Sequence, residues 1–382
     1  HGDEKGRVQV IYIPLTHARA GMTLAQDVMA PNGMLALIAT GQLLSDRLIK
    51  RLELYDIDGL YIESSIGEDI EPASFVKPEE RHKMLSDVRS IYTGFFNQPM
   101  LSSEVVGDTK DLAENLVETI LDQDEFLLDV MEIKSYDNYT YSHSLNVSML
   151  SVLIAKSLGF VRNRLTDIAL CGLMHDIGKI DIPIQIINKN GPLEADEMEL
   201  VRSHPELGVE RMRKCFNISH EVLRGINCHH EKIDGTGYPY HYKGDSIPLF
   251  ARILAVSDVY DALTSHRSYR RAWLPCEAIE YMLAAADTQF DHSLVQVFMH
   301  LVCAYPVGCI VRLSEGSLAI VAKNYSDNVL RPRVRLIENG PLGTKGTDID
   351  LFEDSRYLGI TVATTLGAAG DTTSSLPDSI FK

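Results

Sequence analysis

The sequence predicts a multidomain chain in which an all-α helical unit is preceded by a small α+β unit and followed by a small β-rich extension. Three observations predict it. At 382 residues the chain exceeds what one core usually serves. The hydrophobic pattern changes period twice, from short strand-like runs to helical spacing near residue 80, then back to short runs near residue 300. In the middle stretch, histidines and aspartates fall on the inward faces of successive helical segments, as metal sites in helix bundles require.

Taken in order, Val8-Gln9-Val10-Ile11-Tyr12-Ile13 alternates as a strand, then Pro14 and Gly21 mark a break. Leu44 to Leu54 has helical spacing, and Gly59-Leu60-Tyr61-Ile62 reads as a closing strand. Residues 8-65 are therefore expected to form the small α+β unit, with a regulatory or dimerising role, since they carry no cluster of metal-type or nucleophilic side chains. Residues 66-80 are acidic and hold Pro72 and Pro78, which suits a linker. Residues 81-300 are helical. Leu112, Leu116, Ile120 and Leu121 share one face, and His143, Val147, Leu150 and Ile154 share another, which turns His143 inward. His175-Asp176, His204 and His229-His230 follow on later segments. Asp258 interrupts the face of Ala251, Leu254, Ala255 and Ala262, and an unpaired carboxylate there is costly unless it meets a cation or hydrogen-bond partners. Residues 301-363 hold short runs such as Ile310-Val311-Arg312-Leu313 and Leu318-Ala319-Ile320-Val321 between glycine turns, and predict the β-rich extension. In 364-382, Gly, Ala, Ser and Thr dominate, so a disordered tail is expected.

A net charge of -17 argues against a polynucleotide binder, which needs a basic surface to release counterions. Local cations can still recruit a small anion. Six cysteines, at 171, 215, 228, 276, 303 and 309, form no C-x-x-C pair and suit a reducing cytoplasm. With no long apolar run and no basic leader, the sequence predicts a cytoplasmic protein with no membrane insertion.

In Met174-His175-Asp176-Ile177-Gly178-Lys179 an imidazole, a carboxylate and an ammonium project close together. Imidazole is a metal ligand, carboxylate can bridge two cations, and ammonium suits a phosphate oxygen or alkoxide leaving group. With His204-Pro205-Glu206-Leu207-Gly208, His229-His230-Glu231-Lys232-Ile233-Asp234-Gly235-Thr236-Gly237-Tyr238-Pro239, Asp258, Asp261-Ala262-Leu263-Thr264 and Arg267-Ser268-Tyr269-Arg270, the stretch from about Tyr139 to Phe298 resembles the HD-GYP family of cyclic dinucleotide phosphodiesterases, a branch of the HD phosphohydrolases. Pro14-Leu15 and Gly21-Met22-Thr23-Leu24 resemble the domain that often precedes this catalytic unit.

The resemblance implies that His143, His175, Asp176 and Asp258 bind one metal and His204, His229 and His230 a second, with Asp176 bridging. Nitrogen and oxygen donors without thiolate suit two divalent transition ions, with Fe, Mn or Ni foremost and Zn or Co also compatible. His229 and His230 diverge by about 100° on a regular helix, so both can serve one metal only at a helix end, which Lys232 to Gly237 supplies. Where some relatives carry a Glu for a third metal this chain has Tyr139, a poor ligand with a pKa of about 10, and two metals are expected.

Further implications of the resemblance are hydrolysis of a 3'-5' phosphodiester by a metal-bridging hydroxide, with Lys179 stabilising or protonating the leaving group, and Arg267 and Arg270 gripping phosphates. Tyr238 and Gly237 are expected at the substrate, with Tyr238 stacking on a base or bracing its loop. Glu231 and Asp234 are candidates to orient ligand imidazoles, and Asp261 is either such a group or a cap. The expected substrate is cyclic di-GMP, opened to the linear dinucleotide or cut to GMP, with 3'3'-cyclic GMP-AMP the alternative. A catalytically weak cyclic dinucleotide receptor is the alternative of another class, and a homodimer or signalling partner is expected at the N-terminal unit or the Gly-Tyr-Pro loop.

Overall fold

The computed structural model describes residues 10–29, 36–55, 57, 59–66, 70, 76–97, 103–123, 127–128, 139–189, 191–215, 218–265, 272–367 and 376. The N-terminal unit pairs β1 (Val10–Pro14) antiparallel with β4 (Gly59–Glu63), and β2 (Val28–Met29) with β3 (Ala36–Ile38). Between them α1 (Asp46–Glu53) starts at Ser45, whose side chain accepts from the Leu48 N–H, and it buries Ile49 and Leu52.

The helical core comprises α2 (Pro78–Asn97), α3 (Ser103–Leu121), α4 (Tyr139–Ser157), α5 (Arg162–Met174), α6 (Ile184–Ile187), α7 (Ala195–Arg202), α8 (His204–Cys215), α9 (His220–Cys228), α10 (Leu249–Thr264), α11 (Pro275–Ala284) and α12 (His292–Met299). Helix α4 is central and buried on nearly every side, so its polar residues are small and bonded internally. Ser148 donates to the Ala169 carbonyl at 2.8 Å, and Ser151 to Ser257 Oγ at 3.0 Å. Gly172 of α5 lies so close to Ser148 that a Cβ there would stand 2.5 Å from the Ser148 Cα. This contact sets the approach of the two helices that carry His143 and His175. Lys156 ends α4 by donating to the carbonyls of Ile120 and Gln123, at 2.9 and 2.8 Å, at the C-terminus of α3.

The extension is a five-stranded antiparallel sheet in the order β8 (Asp348–Asp350), β7 (Arg333–Leu336), β6 (Leu318–Lys323), β5 (Ile310–Leu313), β9 (Val362–Thr365). Its inner face does not form a separate core. Ile310, Leu318, Ile320, Ile337 and Leu366 pack into one cluster with Ile11, Ile13, Leu24, Leu60 and Ile62 of the N-terminal unit, and the Tyr12 N–H donates to the Gly308 carbonyl at 2.9 Å. The two ends of the chain thus close on each other.

Two expected boundaries shift. Strand β9 runs through Thr365, and Leu366 and Leu376 are buried, so the ordered extension passes the limit expected at 363. Ile66, Ile70 and Val76 of the expected linker are also buried, and α2 begins at Pro78. The remainder of the tail lies outside the described residues. No helix among the described residues is long and apolar enough to cross a membrane.

Candidate metal centre

The expected ligands come from five helices and meet in one buried place. His143 sits on α4, and His175 caps the C-terminus of α5. There the backbone leaves the helix at Asp176, which opens the 3-10 turn Ile177–Asp181 carrying Lys179. His204 begins α8. His229 caps α9, so the change of direction expected for His229-His230 occurs at the helix end. Asp258 lies in α10. Gly178 allows the turn to touch α8: a Cβ there would stand 2.0 Å from the His204 carbonyl oxygen and 2.5 Å from the Gly208 nitrogen.

These side chains form two adjacent donor sets. Asp176, His204, His229 and His230 offer ligand atoms within 4.8 Å of one another, and so do His143, His175 and Asp258. Asp176 faces both: Oδ1 is 3.3 Å from His204 Nε2, while Oδ2 is 3.4 Å from His175 Nε2 and 3.7 Å from His143 Nε2.

The backbone dictates which ring nitrogens face inward. The Nδ1 atoms of His175, His204 and His229 lie 2.7 Å from the carbonyls of Gly172, Val201 and Ile226. A carbonyl only accepts, so each Nδ1 carries the proton and each neutral ring turns an Nε2 lone pair to the centre. The Nε2 atoms of His204 and His229 approach to 3.3 Å, and those of His143 and His175 likewise. Facing lone pairs repel unless a proton or a metal ion lies between them. Asp176 Oδ1 is buried and accepts no hydrogen bond among the described residues, a costly state that a cation relieves. With nitrogen and oxygen donors and no thiolate, the centre is compatible with divalent metal.

Electrostatics divides the centre in the same way. Burial holds the imidazoles of His204 and His230 down to about 4 and about 3, and keeps His229 well below its ordinary value. All three are thus neutral, as ligands must be. His143 is the opposite case. Burial disfavours its charge, but its bonds to Asp258 and Asp261 outweigh this and raise it to about 9. Burial likewise opposes charge on Asp176, yet Lys179, His175 and His204 bring its carboxyl well below the usual range. Asp258 is lowered too, mainly by His143 against the effect of burial.

Around the centre, Lys179 Nζ donates to Asp176 Oδ2 at 2.5 Å. Tyr238 stacks on the His230 ring, with centroids 4.8 Å apart. Gly237 is buried against its own loop, where a Cβ would stand 2.3 Å from the Lys232 nitrogen, so close backbone packing is the role its position carries. Glu231 and Asp234 bond no imidazole among the described residues. Glu231 accepts from the N–H groups of Tyr240 and Tyr242, and Asp234 from Thr236, so both shape the loop. Asp261 does bond an imidazole: its Oδ2 is 2.7 Å from His143 Nδ1. Arg267, Arg270 and the side chain of Tyr139 lie outside the described residues.

The sequence reading missed two groups here. Asn146, buried one turn after His143, donates to Asp261 Oδ1 at 2.8 Å; its polar character on an inward face was the available signal. Arg202, exposed at the end of α7, holds its guanidinium 5.5 Å from the Tyr238 ring centroid, and nothing in its local sequence marks it.

The HD domain family matches residues 115–294. A cyclic di-GMP phosphodiesterase of Pseudomonas aeruginosa is 36% identical over 269 residues, covering 69% of this chain and 65% of that protein. A cyclic di-GMP phosphodiesterase response regulator of Xanthomonas campestris is 37% identical over 168 residues, 44% of each chain. A 3'3'-cGAMP-specific phosphodiesterase of Vibrio cholerae is 32% identical over 200 residues, 52% of this chain and 37% of that one. This chain therefore spans less than two thirds of the length of each of these relatives.

Proposed function

We propose that the chain belongs to the HD-domain family, in its HD-GYP branch, and that it is a metal-dependent phosphodiesterase opening a 3'-5' phosphodiester of a cyclic dinucleotide. Cyclic di-GMP is the substrate, and the linear dinucleotide or GMP the product. The observation that carries this reading is the pair of facing donor sets joined by Asp176, with Lys179 on the shared carboxylate.

In this reading His143, His175, Asp258 and Asp176 hold one divalent ion, and His204, His229, His230 and Asp176 a second. Fe, Mn or Ni suits the donors best, with Zn or Co also compatible. Bound there, two such ions supply Lewis acidity and a water acidified to near neutrality. The chain supplies the rest. Nδ1 protons fixed on backbone carbonyls keep the Nε2 lone pairs aimed inward. Lys179, whose Nζ lies 2.5 Å from Asp176 Oδ2, is read as the group that stabilises or protonates the departing 3'-oxygen. Tyr238 offers an aromatic face beside His230, while Arg202, Arg267 and Arg270 are candidates to meet phosphate. The N-terminal unit, sharing its core with the extension, is read as a regulatory or dimerising body, and it and the Gly-Tyr-Pro loop are the places for a partner protein.

Preference for 3'3'-cyclic GMP-AMP is the second reading, favoured by the name of the Vibrio cholerae relative. Purification without oxygen in the presence of Fe, Mn or Ni, followed by product analysis on both cyclic dinucleotides, tests the proposal. Cleavage of cyclic di-GMP supports the first reading, and faster cleavage of the mixed dinucleotide the second. Binding with no cleavage under any of the three metals makes the chain a receptor and overturns both.

A further inference from the structure

Helix α2 follows the segment that joins the N-terminal unit to the helical core, and a buried residue in its first turn reaches the metal centre by way of two others. Arg81 Nη2 donates to Asn146 Oδ1 at 3.1 Å. Asn146 Nδ2 donates to Asp261 Oδ1 at 2.8 Å, and the other oxygen of Asp261 lies 2.7 Å from His143 Nδ1. Arg81, Asn146, Asp261 and His143 are 7%, 3%, 1% and 4% exposed, so water does not compete freely for these bonds.

The sense of every bond in this chain is fixed from the arginine end. A guanidinium has donors only, so the amide atom it meets must be the oxygen. The amide nitrogen of Asn146 therefore faces Asp261 and donates to Oδ1. Oδ2 is left to take the Nδ1 proton of His143, and His143 presents Nε2 to Asp258 and His175, 3.2 and 3.3 Å away. With the amide turned over, its oxygen would meet a carboxylate oxygen in a buried place, and the support of Asp261 under His143 would be lost.

We infer that Arg81 is a positioning residue of the first donor set, fixing the orientation of His143 and its Nδ1 hydrogen bond through Asn146 and Asp261. Its functional meaning rests on the reading of that set as a metal site. The same helix also touches the backbone just before His175, where the Tyr92 hydroxyl donates to the Leu173 carbonyl at 2.9 Å. From Arg81 the path through Asn146 and Asp261 leads to His143, a member of the first donor set. A change at Arg81 is thus expected to act on the ion of the first donor set.

The test uses the full chain with Arg81→Met and Arg81→Lys. Mn(II) or Zn(II) is titrated against a competing chelator, and the nitrogen-15 spectrum of the His143 ring is recorded on metal-free protein. Arg81→Met is expected to weaken one of two ions by about 10-fold or more, leave the other unchanged, and alter the Nδ1 signal of His143, while Arg81→Lys, which keeps a donor, restores most of both. If Arg81→Met does not fold, Asn146→Ala breaks the same path one residue further on and is held to the same expectation. Wild-type affinities for both ions together with an unchanged ring spectrum overturn the inference. A wild-type chain that binds neither ion refutes the metal reading instead, and the ring spectrum alone then decides whether Arg81 positions His143.

Discussion

The Nε2 atoms of His143 and His175 stand 3.3 Å apart, with the Nδ1 of one on the Asp261 carboxylate and that of the other on the Gly172 carbonyl. With both outer nitrogens engaged as donors, a positive charge must lie between the inner ones. Either a proton or a metal ion serves, and this exchange links the stability of the chain to its proposed chemistry.

The pH dependence of the metal-free chain follows. His143 is raised to about 9 in the fold, so its contribution is complete below about 6.5, the unfolded value, and is lost as pH rises through 9. His204 and His230 are lowered to about 4 and about 3, so the unfolded chain takes up their protons first, and stability falls as pH drops from about 6.5 toward those values. Thermal unfolding of chelator-treated protein is expected to peak near neutrality and decline on both sides. A divalent ion should remove the alkaline decline by replacing the proton. A midpoint independent of pH from 5 to 9 would contradict this.

Lys179→Met should leave metal content unchanged and reduce turnover about 100-fold, the loss expected when a positioned proton donor or charge at a leaving group is removed. Metal analysis beside single-turnover rates checks it. Full turnover with both ions bound would exclude Lys179 from the chemistry.

Gly178→Ala should destabilise the protein by about 1–3 kcal/mol or more, since the added Cβ meets backbone atoms of His204 and Gly208 that cannot rotate aside. Metal retention should fall with it, because the turn and α8 present Asp176 and His204 to each other. Denaturant unfolding of the metal-free and metal-loaded variant measures both effects.

Much of the centre was legible in the sequence because its ligands recur at helical spacing and in specific strings. His143 was turned inward by Val147, Leu150 and Ile154, and Asp258 stood out as a carboxylate on an apolar face. The supports of the ligands were legible only in part: Asp261 read as either an orienting group or a cap, with its partner unnamed, and Arg81 and Asn146 did not stand out. Asp261 meets His143 across 118 positions, and Arg81 meets Asn146 across 65, and no local pattern records such pairings. The shared core of the two end units was hidden for a similar reason. Alternation in Val10–Pro14 and Ile310–Leu313 shows that each has a buried face, without showing that they bury each other.

That shared core makes a prediction of its own. Removal of residues 1–65 should expose Ile310, Leu318, Ile320, Ile337 and Leu366 on the sheet, giving a chain that aggregates and binds an apolar dye. Size-exclusion chromatography and dye fluorescence measure this. A monodisperse truncated chain that does not bind dye would mean that the N-terminal unit is separable.

The most direct measurement of the central claim is the metal content of each chain, taken by elemental analysis after purification without oxygen in excess Mn or Fe. Two ions per chain are predicted for the wild type. His204→Ala should retain about one, and Asp176→Ala, which removes the carboxylate facing both sets, close to none. A wild-type chain holding no ion, or three tightly held ions, would contradict the account.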